Sequence, residues 1–224
     1  MKPHVQPWNS PPVVFVVVFC LVLATGTLVA GELNANSRAA LKSSKLAFVP
    51  AWRELAAVGQ TRGSASAPVR VVLFADYQCA GCAALHQLLA TAADSMADRL
   101  QIVTRHFPLS GHLHARAAAN AAECAAEQGR FAAFEDVTYQ HQDSIGFAAW
   151  ATFALRAGVH DTAAFNRCEV TNRYRDAVER DRSAALALKL AGTPVYIVNG
   201  QPYFGAPSLA GLMQHLNAGV NHAR

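Results

Sequence analysis

Val69-Arg70-Val71-Val72-Leu73-Phe74-Ala75-Asp76-Tyr77-Gln78-Cys79-Ala80-Gly81-Cys82 decides the fold of this 224-residue chain. Its first seven residues are short in span, β-branched and nearly all apolar, as expected of a strand buried on both faces of a sheet. A CxxC pair follows at once. Leu85, Leu88, Leu89, Ala92 and Met96 then recur at i, i+3, i+4, i+7 and i+11, which marks one face of a helix. Gln101-Ile102-Val103-Thr104-Arg105-His106-Phe107 reads as a second strand. Strand, helix, strand over about forty residues is a βαβ unit with a right-handed crossover.

The pair Cys79-Ala80-Gly81-Cys82 stands where the strand meets the helix. Two intervening residues allow a disulfide inside the first helical turn. The helix N-terminus favours a thiolate on Cys79, and Cys82, one turn in, is shielded and suited to resolve a mixed disulfide. A CxxC placed this way is a redox signal. A zinc site would need two more ligands; His86, His112 and His114 are near in sequence but irregularly spaced, and there is no second CxxC. No metal and no cofactor is therefore expected. Asp76, three residues before Cys79, is placed either to relay a proton to Cys82 or to serve as a capping or loop carboxylate. Thr193-Pro194 opens a later strand. Proline belongs at a strand start because it cannot donate a ladder hydrogen bond, and a cis bond there would leave the Thr193 backbone free for an extended substrate. From the residues alone a cis bond is the minority outcome.

Outward from this unit, residues 113–190 read as helical, with Gly129 and Gly158 as punctuation. Phe147, Trp150, Ala151 and Ala154 keep helical spacing, as do Tyr174, Val178, Ala185 and Leu188. Val195-Tyr196-Ile197-Val198, Asn199-Gly200 and Gln201-Pro202-Tyr203-Phe204 spell a β-hairpin with a two-residue turn. Ser208 then caps a last helix carrying Leu209, Leu212, Met213 and Leu216. Toward the N-terminus, residues 13–31 hold nineteen positions without a charge. At helical rise they span roughly 28 Å, a bilayer core, and read as an uncleaved signal anchor, with a cleaved signal as the alternative. Cys20 within it is apolar filler. Residues 32–63 read as a tether and linker with short helical pieces, such as Trp52-Arg53-Glu54-Leu55, ending in the Gly- and Ser-rich stretch before a globular domain at 64–224.

Composition excludes several classes. Hydrophobic residues make up 52% and charged residues 15%, so the chain is neither disordered nor fibrous. Lys+Arg is 19 against Asp+Glu 15, a thin excess that gives no support to nucleic-acid binding. Five cysteines are too few for a disulfide scaffold, although the four outside the apolar run, Cys79, Cys82, Cys124 and Cys168, can pair twice. Around the apolar run, Lys2 precedes and Arg38, Lys42 and Lys45 follow, so the charge rule leans against export of the domain while the cysteine chemistry favours it.

Ala67-Pro68-Val69, Phe74 to Cys82, Ala121-Ala122-Glu123-Cys124-Ala125, Gln128-Gly129-Arg130-Phe131, Gly192-Thr193-Pro194 and Val198-Asn199-Gly200 together resemble the DsbA-like branch of thioredoxin-fold thiol–disulfide oxidoreductases. The resemblance runs from about residue 64 to the C-terminus. It implies an α/β thioredoxin fold with a helical insertion at about 111–190, behind an N-terminal transmembrane helix. It implies Cys79 as attacking cysteine, Cys82 as resolving cysteine, and Pro194 as a cis proline facing them with Thr193 before it. By likeness to actinobacterial members, it also implies a structural disulfide between Cys124 and Cys168. Two departures bear on redox poise: Ala80 stands where most members have proline, and Gly81 where the strongly oxidising enterobacterial form has histidine.

The expectation is a membrane-anchored disulfide oxidase on the extracytoplasmic, periplasmic side of a bacterial cytoplasmic membrane. Its substrates would be thiol- or disulfide-containing proteins, and a membrane quinone-linked partner of DsbB or VKOR type would reoxidise it. Two rivals stand beside this reading: a reductase or isomerase using the same pair, and a thioredoxin-fold peptide-binding module with little redox turnover.

Overall fold

The computed structural model describes residues 47–222. The apolar segment 13–31, Cys20 and the first part of the tether lie outside the described residues. Five strands make one sheet in the order β1-β3-β2-β4-β5: β1 Gln60–Gly63, β2 Val69–Ala75, β3 Leu100–His106, β4 Val195–Val198 and β5 Gln201–Phe204. Only β2 and β3 are parallel, with Val69 opposite Leu100 and Ala75 opposite His106. The crossover between them is α2, Ala80–Met96. On its other edge β2 pairs antiparallel with β4, Phe74 opposite Val195 and Val71 opposite Val198.

The unbroken apolar run of β2 has its explanation in two cores. Val69, Val71, Leu73 and Ala75 point to one face, where they meet Leu85, Leu89, Ala92 and Met96 of α2 and Leu212 and Leu216 of the last helix, α8 (Leu209–His222). Val72 and Phe74 point to the other, against Val103, Val195, Ile197, Ala185 and Leu190. Each buried Val, Leu, Ile, Phe or Met side chain among them contributes roughly 1.5–3 kcal/mol, and each alanine less.

The tether reading needs a correction. The stretch assigned to linker as far as residue 63 folds into the domain: Trp52–Ala56 forms a short helix, α1, and Gln60–Gly63 is an edge strand antiparallel to β3. Val49, Trp52 and Ala56 bury themselves in the second core. The two glycines that suggested a flexible linker instead supply positive φ, 117° at Gly59 and 92° at Gly63, where the chain turns into and out of β1. Polar Gln60 and Arg62 carry no strand periodicity because they reach for charge partners instead, as described below.

Between β3 and β4 the chain forms five helices: α3 Ala115–Ala126, α4 Phe131–Gln140, α5 Trp150–Arg156, α6 Thr162–Val170 and α7 Arg175–Ala187. Phe134 lies 6.5 Å from Phe153 and 6.1 Å from Phe165, ring centre to ring centre, at the heart of this insertion. Alanines at 118, 119, 121, 122 and 125 let neighbouring helices close on α3. The helical spacing assigned to Phe147 does not hold: α5 begins at Trp150, and Phe147 is 92% exposed in the preceding loop.

The hairpin forms where the Asn-Gly pair demands it, with φ 45° at Asn199 and 96° at Gly200. Asn199 also ties three segments together. Its Oδ1 accepts from Arg70 N–H at 2.8 Å, and its Nδ2 donates to the carbonyls of Pro68 and Gly219, both at 2.9 Å. Among the described residues no helix is long and apolar enough to cross a membrane.

Candidate active site

The C-terminal end of β2 and the start of β4 are neighbours in the sheet, so residues 76–82 and 193–194 come together although more than 110 positions separate them. Cys79 is the N-cap of α2, with φ −82° and ψ 116°. Its carbonyl accepts the first helical hydrogen bonds, from Cys82 N–H at 3.0 Å and Ala83 N–H at 3.2 Å. Cys82 is therefore carried one turn into the helix, where it is 2% exposed, while Cys79 remains partly open. Both are free thiols here.

This asymmetry sets their acidity. A hydrogen bond with the Cys82 side chain, opposed by partial burial and assisted by Thr193 and the backbone of Cys82 and Gly81, brings Cys79 down to about 5. Burial first, and then the neighbouring Cys79 sulfur, push the Cys82 thiol far above the ordinary range. The Cys79 thiol donates to the Thr193 carbonyl at 3.3 Å. The Thr193 hydroxyl is buried beside it with no hydrogen-bond partner among the described residues, so it can turn to a thiolate on Cys79. The Thr193–Pro194 peptide bond is cis. Gly81 faces that proline: a β-carbon there would stand 3.1 Å from Pro194 Cδ and 3.7 Å from Cys79 Sγ.

Asp76 is buried below the pair. Its Oδ1 accepts from Gln78 N–H at 2.7 Å; its Oδ2 accepts from Leu109 N–H at 2.8 Å and lies 2.9 Å from His112 Nδ1. Its own N–H points at Cys82 Sγ, 3.4 Å away. With three donors on its carboxylate, Asp76 fastens the cysteine loop to the loop after β3, and its backbone is the part that touches Cys82.

Three polar residues that sequence reasoning did not select complete the frame. Gln78 Oε1 accepts from His114 N–H at 2.6 Å. His112 holds Asp76. Gln142, in a 3₁₀ turn after α4, donates from Nε2 to the carbonyls of Tyr77 at 2.6 Å and Cys79 at 3.1 Å. Gln78 adjoins the motif and was open to notice. Gln142 lies sixty-three positions from Cys79 in an unremarkable polar turn, and nothing local marks it.

A second polar layer lies beneath Tyr77. Glu123 joins His106 Nε2 at 2.9 Å and accepts from Gln60 Nε2 at 2.7 Å. Burial opposes both charges, but each ion outweighs it for the other: His106 is held above its ordinary value and Glu123 below. Arg62 and His86 share Asp136, each at 2.7 Å. These histidines thus serve carboxylates. Cys124 and Cys168 stand apart from the redox pair. They join α3 to α6 in a disulfide, both fully buried, with Cα atoms 5.8 Å apart.

Comparison with known proteins bears on the fold that carries these residues. A family model described as thioredoxin matches residues 56–218. Among solved structures, the thiol-disulfide exchange protein alpha-DsbA2 from Wolbachia pipientis superposes with a TM-score of 0.66 at 17% identity, covering 75% of this chain and 91% of that one. Oxidised BdbD from Bacillus subtilis gives 0.64 at 17% identity, covering 72% and 92%. The sequence is also 33% identical over 168 residues to the Na(+)/H(+) antiporter NhaA 3 of Salinispora tropica, covering 73% of this chain and 25% of that protein. The chain spans about a quarter of the length of the curated relatives it matches.

Proposed function

The chain belongs to the thioredoxin family, and on that premise we propose that it is a thiol–disulfide oxidoreductase that oxidises paired thiols of protein substrates through Cys79 and Cys82. The observation that carries this reading is the contrast between the two sulfurs: a partly open Cys79 thiol brought to about 5 at a helix start, and a buried Cys82 one turn behind it.

In the oxidised enzyme the two sulfurs form a disulfide. A substrate thiolate attacks Cys79 Sγ; the S–S bond breaks and Cys82 leaves with the electron pair. The Asp76 N–H, 3.4 Å from Cys82 Sγ, receives that developing charge before a proton does. A second substrate thiolate then attacks the substrate sulfur of the mixed disulfide and releases the Cys79 thiolate. The substrate loses two electrons and the enzyme becomes a dithiol. Stabilising the Cys79 thiolate stabilises the reduced enzyme, which makes its disulfide the stronger oxidant. This favours oxidase over reductase or isomerase.

The test is the Cys79–Cys82 reduction potential, measured by equilibration with glutathione. A value near about −120 mV is expected of an oxidase; one near about −270 mV would make the enzyme a reductase.

The same reading places the domain on the extracytoplasmic side of a bacterial membrane, held by residues 13–31. It is supported by the length of that apolar run and by the buried Cys124–Cys168 bond, a kind that persists in oxidising compartments. Reoxidation would then fall to a membrane quinone-linked partner of DsbB or VKOR type, and the tether would keep the domain near it at high effective concentration.

A second reading has its own observation, the match to a quarter of a protein named as a Na(+)/H(+) antiporter. On this reading one substrate of the domain is a cysteine-bearing membrane transport protein. Covalent capture through Cys79 in intact membranes distinguishes the two.

A further inference from the structure

We propose that Gln142 is a positioning residue for the redox chemistry: from the helical insertion it holds the carbonyl of Cys79 and thereby sets how readily the Cys79 thiol ionises. The inference rests on the function proposed above and concerns the same site.

The Gln142 side-chain amide spans two carbonyls, of Tyr77 at 2.6 Å and of Cys79 at 3.1 Å. The first carbonyl belongs to the 77–78 peptide and the second to the 79–80 peptide, so one donor group holds the two planes that bracket Gln78 and Cys79. The Cys79 carbonyl already accepts from Cys82 N–H and Ala83 N–H. A carbonyl has two lone-pair directions, and an acceptor that is full within its own helix gains little stability from a third donor. What the third donor changes is the local field. The Cys79 carbonyl is the negative group covalently nearest to Sγ, and an amide N–H aimed at it offsets that negative charge where a thiolate must form. The same bond holds the carbonyl of Cys79 at the extended ψ, 116°, with which the helix begins.

The location adds weight. Gln142 is half-buried in a 3₁₀ turn that Gly146 brings against the loop after β3: a β-carbon on Gly146, at φ 89°, would stand 2.5 Å from His114 Nε2. His114 N–H in turn holds Gln78. The turn, that loop and the cysteine loop are thus linked in a ring, with Gln142 supplying the donors. The ionisable groups facing Cys79 from other elements are few. Cys82 comes from its own helix, and the Asp76–His112 pair sits below. His141 and Asp143 flank Gln142 in the turn. None of these is altered in the test.

The full chain is compared with Gln142→Met, which keeps the length and removes the donors, and Gln142→Lys, which restores a donor and adds a positive charge. The readouts are the pH midpoint of Cys79 alkylation, the reduction potential and the thermal unfolding midpoint. Loss of the two amide hydrogen bonds raises the alkylation midpoint in Gln142→Met, by at most about 1 because the donors act on Sγ through the carbonyl, and moves the potential to more negative values. Gln142→Lys returns the midpoint to the parent value or below it. An unchanged alkylation midpoint in a folded Gln142→Met protein overturns the proposal, whatever happens to unfolding. So does a Gln142→Lys protein that matches Gln142→Met, because shape and not the donor would then matter. Alkylation needs no substrate, so the outcome stands even if the protein proves to be a reductase.

Discussion

At the scale of single residues, Cys79 and Cys82 differ by one helical turn and by nearly all of their accessibility. The hydrogen bond with the Cys82 side chain, helped by Thr193 and the backbone of the helix start, makes the first sulfur acidic; burial makes the second one reluctant to ionise. On the proposed chemistry run in reverse, with the reduced enzyme attacking a substrate disulfide, the first half of exchange needs only Cys79 and escape from the mixed disulfide needs Cys82. Reduced Cys82→Ser protein, given oxidised substrate, is expected to accumulate covalent adducts through Cys79 that dithiothreitol reverses. Cys79→Ser should give few adducts and no turnover. Mass mapping that finds the adducts on Cys82 instead would reverse the two roles, and inertness of parent and both variants would favour a peptide-binding module. The spacing of the motif was legible in the sequence. Asp76 was visible too, but not its occupation: a carboxylate holding Gln78, Leu109 and His112 is a fastener, and two of those donors, Leu109 and His112, come from a loop more than thirty residues away.

At the scale of elements, the hairpin of β4 and β5 does two jobs at its two ends. Its first end presents the cis Thr193–Pro194 bond to the cysteines. Its turn, at the far end of β4, locks to the start of β2 and to α8 through Asn199. Asn199→Ala puts a methyl side chain at φ 45° and removes three hydrogen bonds. It is expected to cost about 2–4 kcal/mol in urea unfolding while leaving the alkylation rate of Cys79 unchanged, because the turn and the redox pair sit at opposite ends of the strand. A matching change in Cys79 reactivity would show that the sheet transmits the disturbance along its length. The Asn-Gly signal predicted this turn correctly because positive φ at two successive residues is a local demand. The edge strand β1 was missed for the opposite reason. Its four residues bury no apolar side chain; Gln60 and Arg62 are there to pair with Glu123 and Asp136.

At the scale of the whole molecule, the insertion is fastened to the thioredoxin core by polar and covalent links as well as by packing. Arg105 on β3 reaches Asp181 of α7 at 2.6 Å, and the same carboxylate takes His106 N–H at 2.9 Å. The Cys124–Cys168 bond closes a loop of 44 residues within the insertion. Replacing both cysteines by alanine is expected to lower unfolding stability by up to ~4 kcal/mol, read from denaturant midpoints, with Cys79 still open to alkylation. Loss of Cys79 reactivity in a protein that remains folded would show that the bond also serves the site. By itself the sequence determined the βαβ unit, the redox pair at its strand–helix junction, the hairpin and the helical character of the insertion. Each is written in periodicities and spacings shorter than about twenty residues, which propensity and burial impose locally. Only the tertiary structure decided which sulfur Thr193 would face, that Trp52 and β1 belong to the domain, and that Gln142 would reach the Cys79 carbonyl. Those contacts join residues between 38 and 114 positions apart. Chain connectivity does not encode such meetings; the packing of two apolar faces of one sheet brings them about.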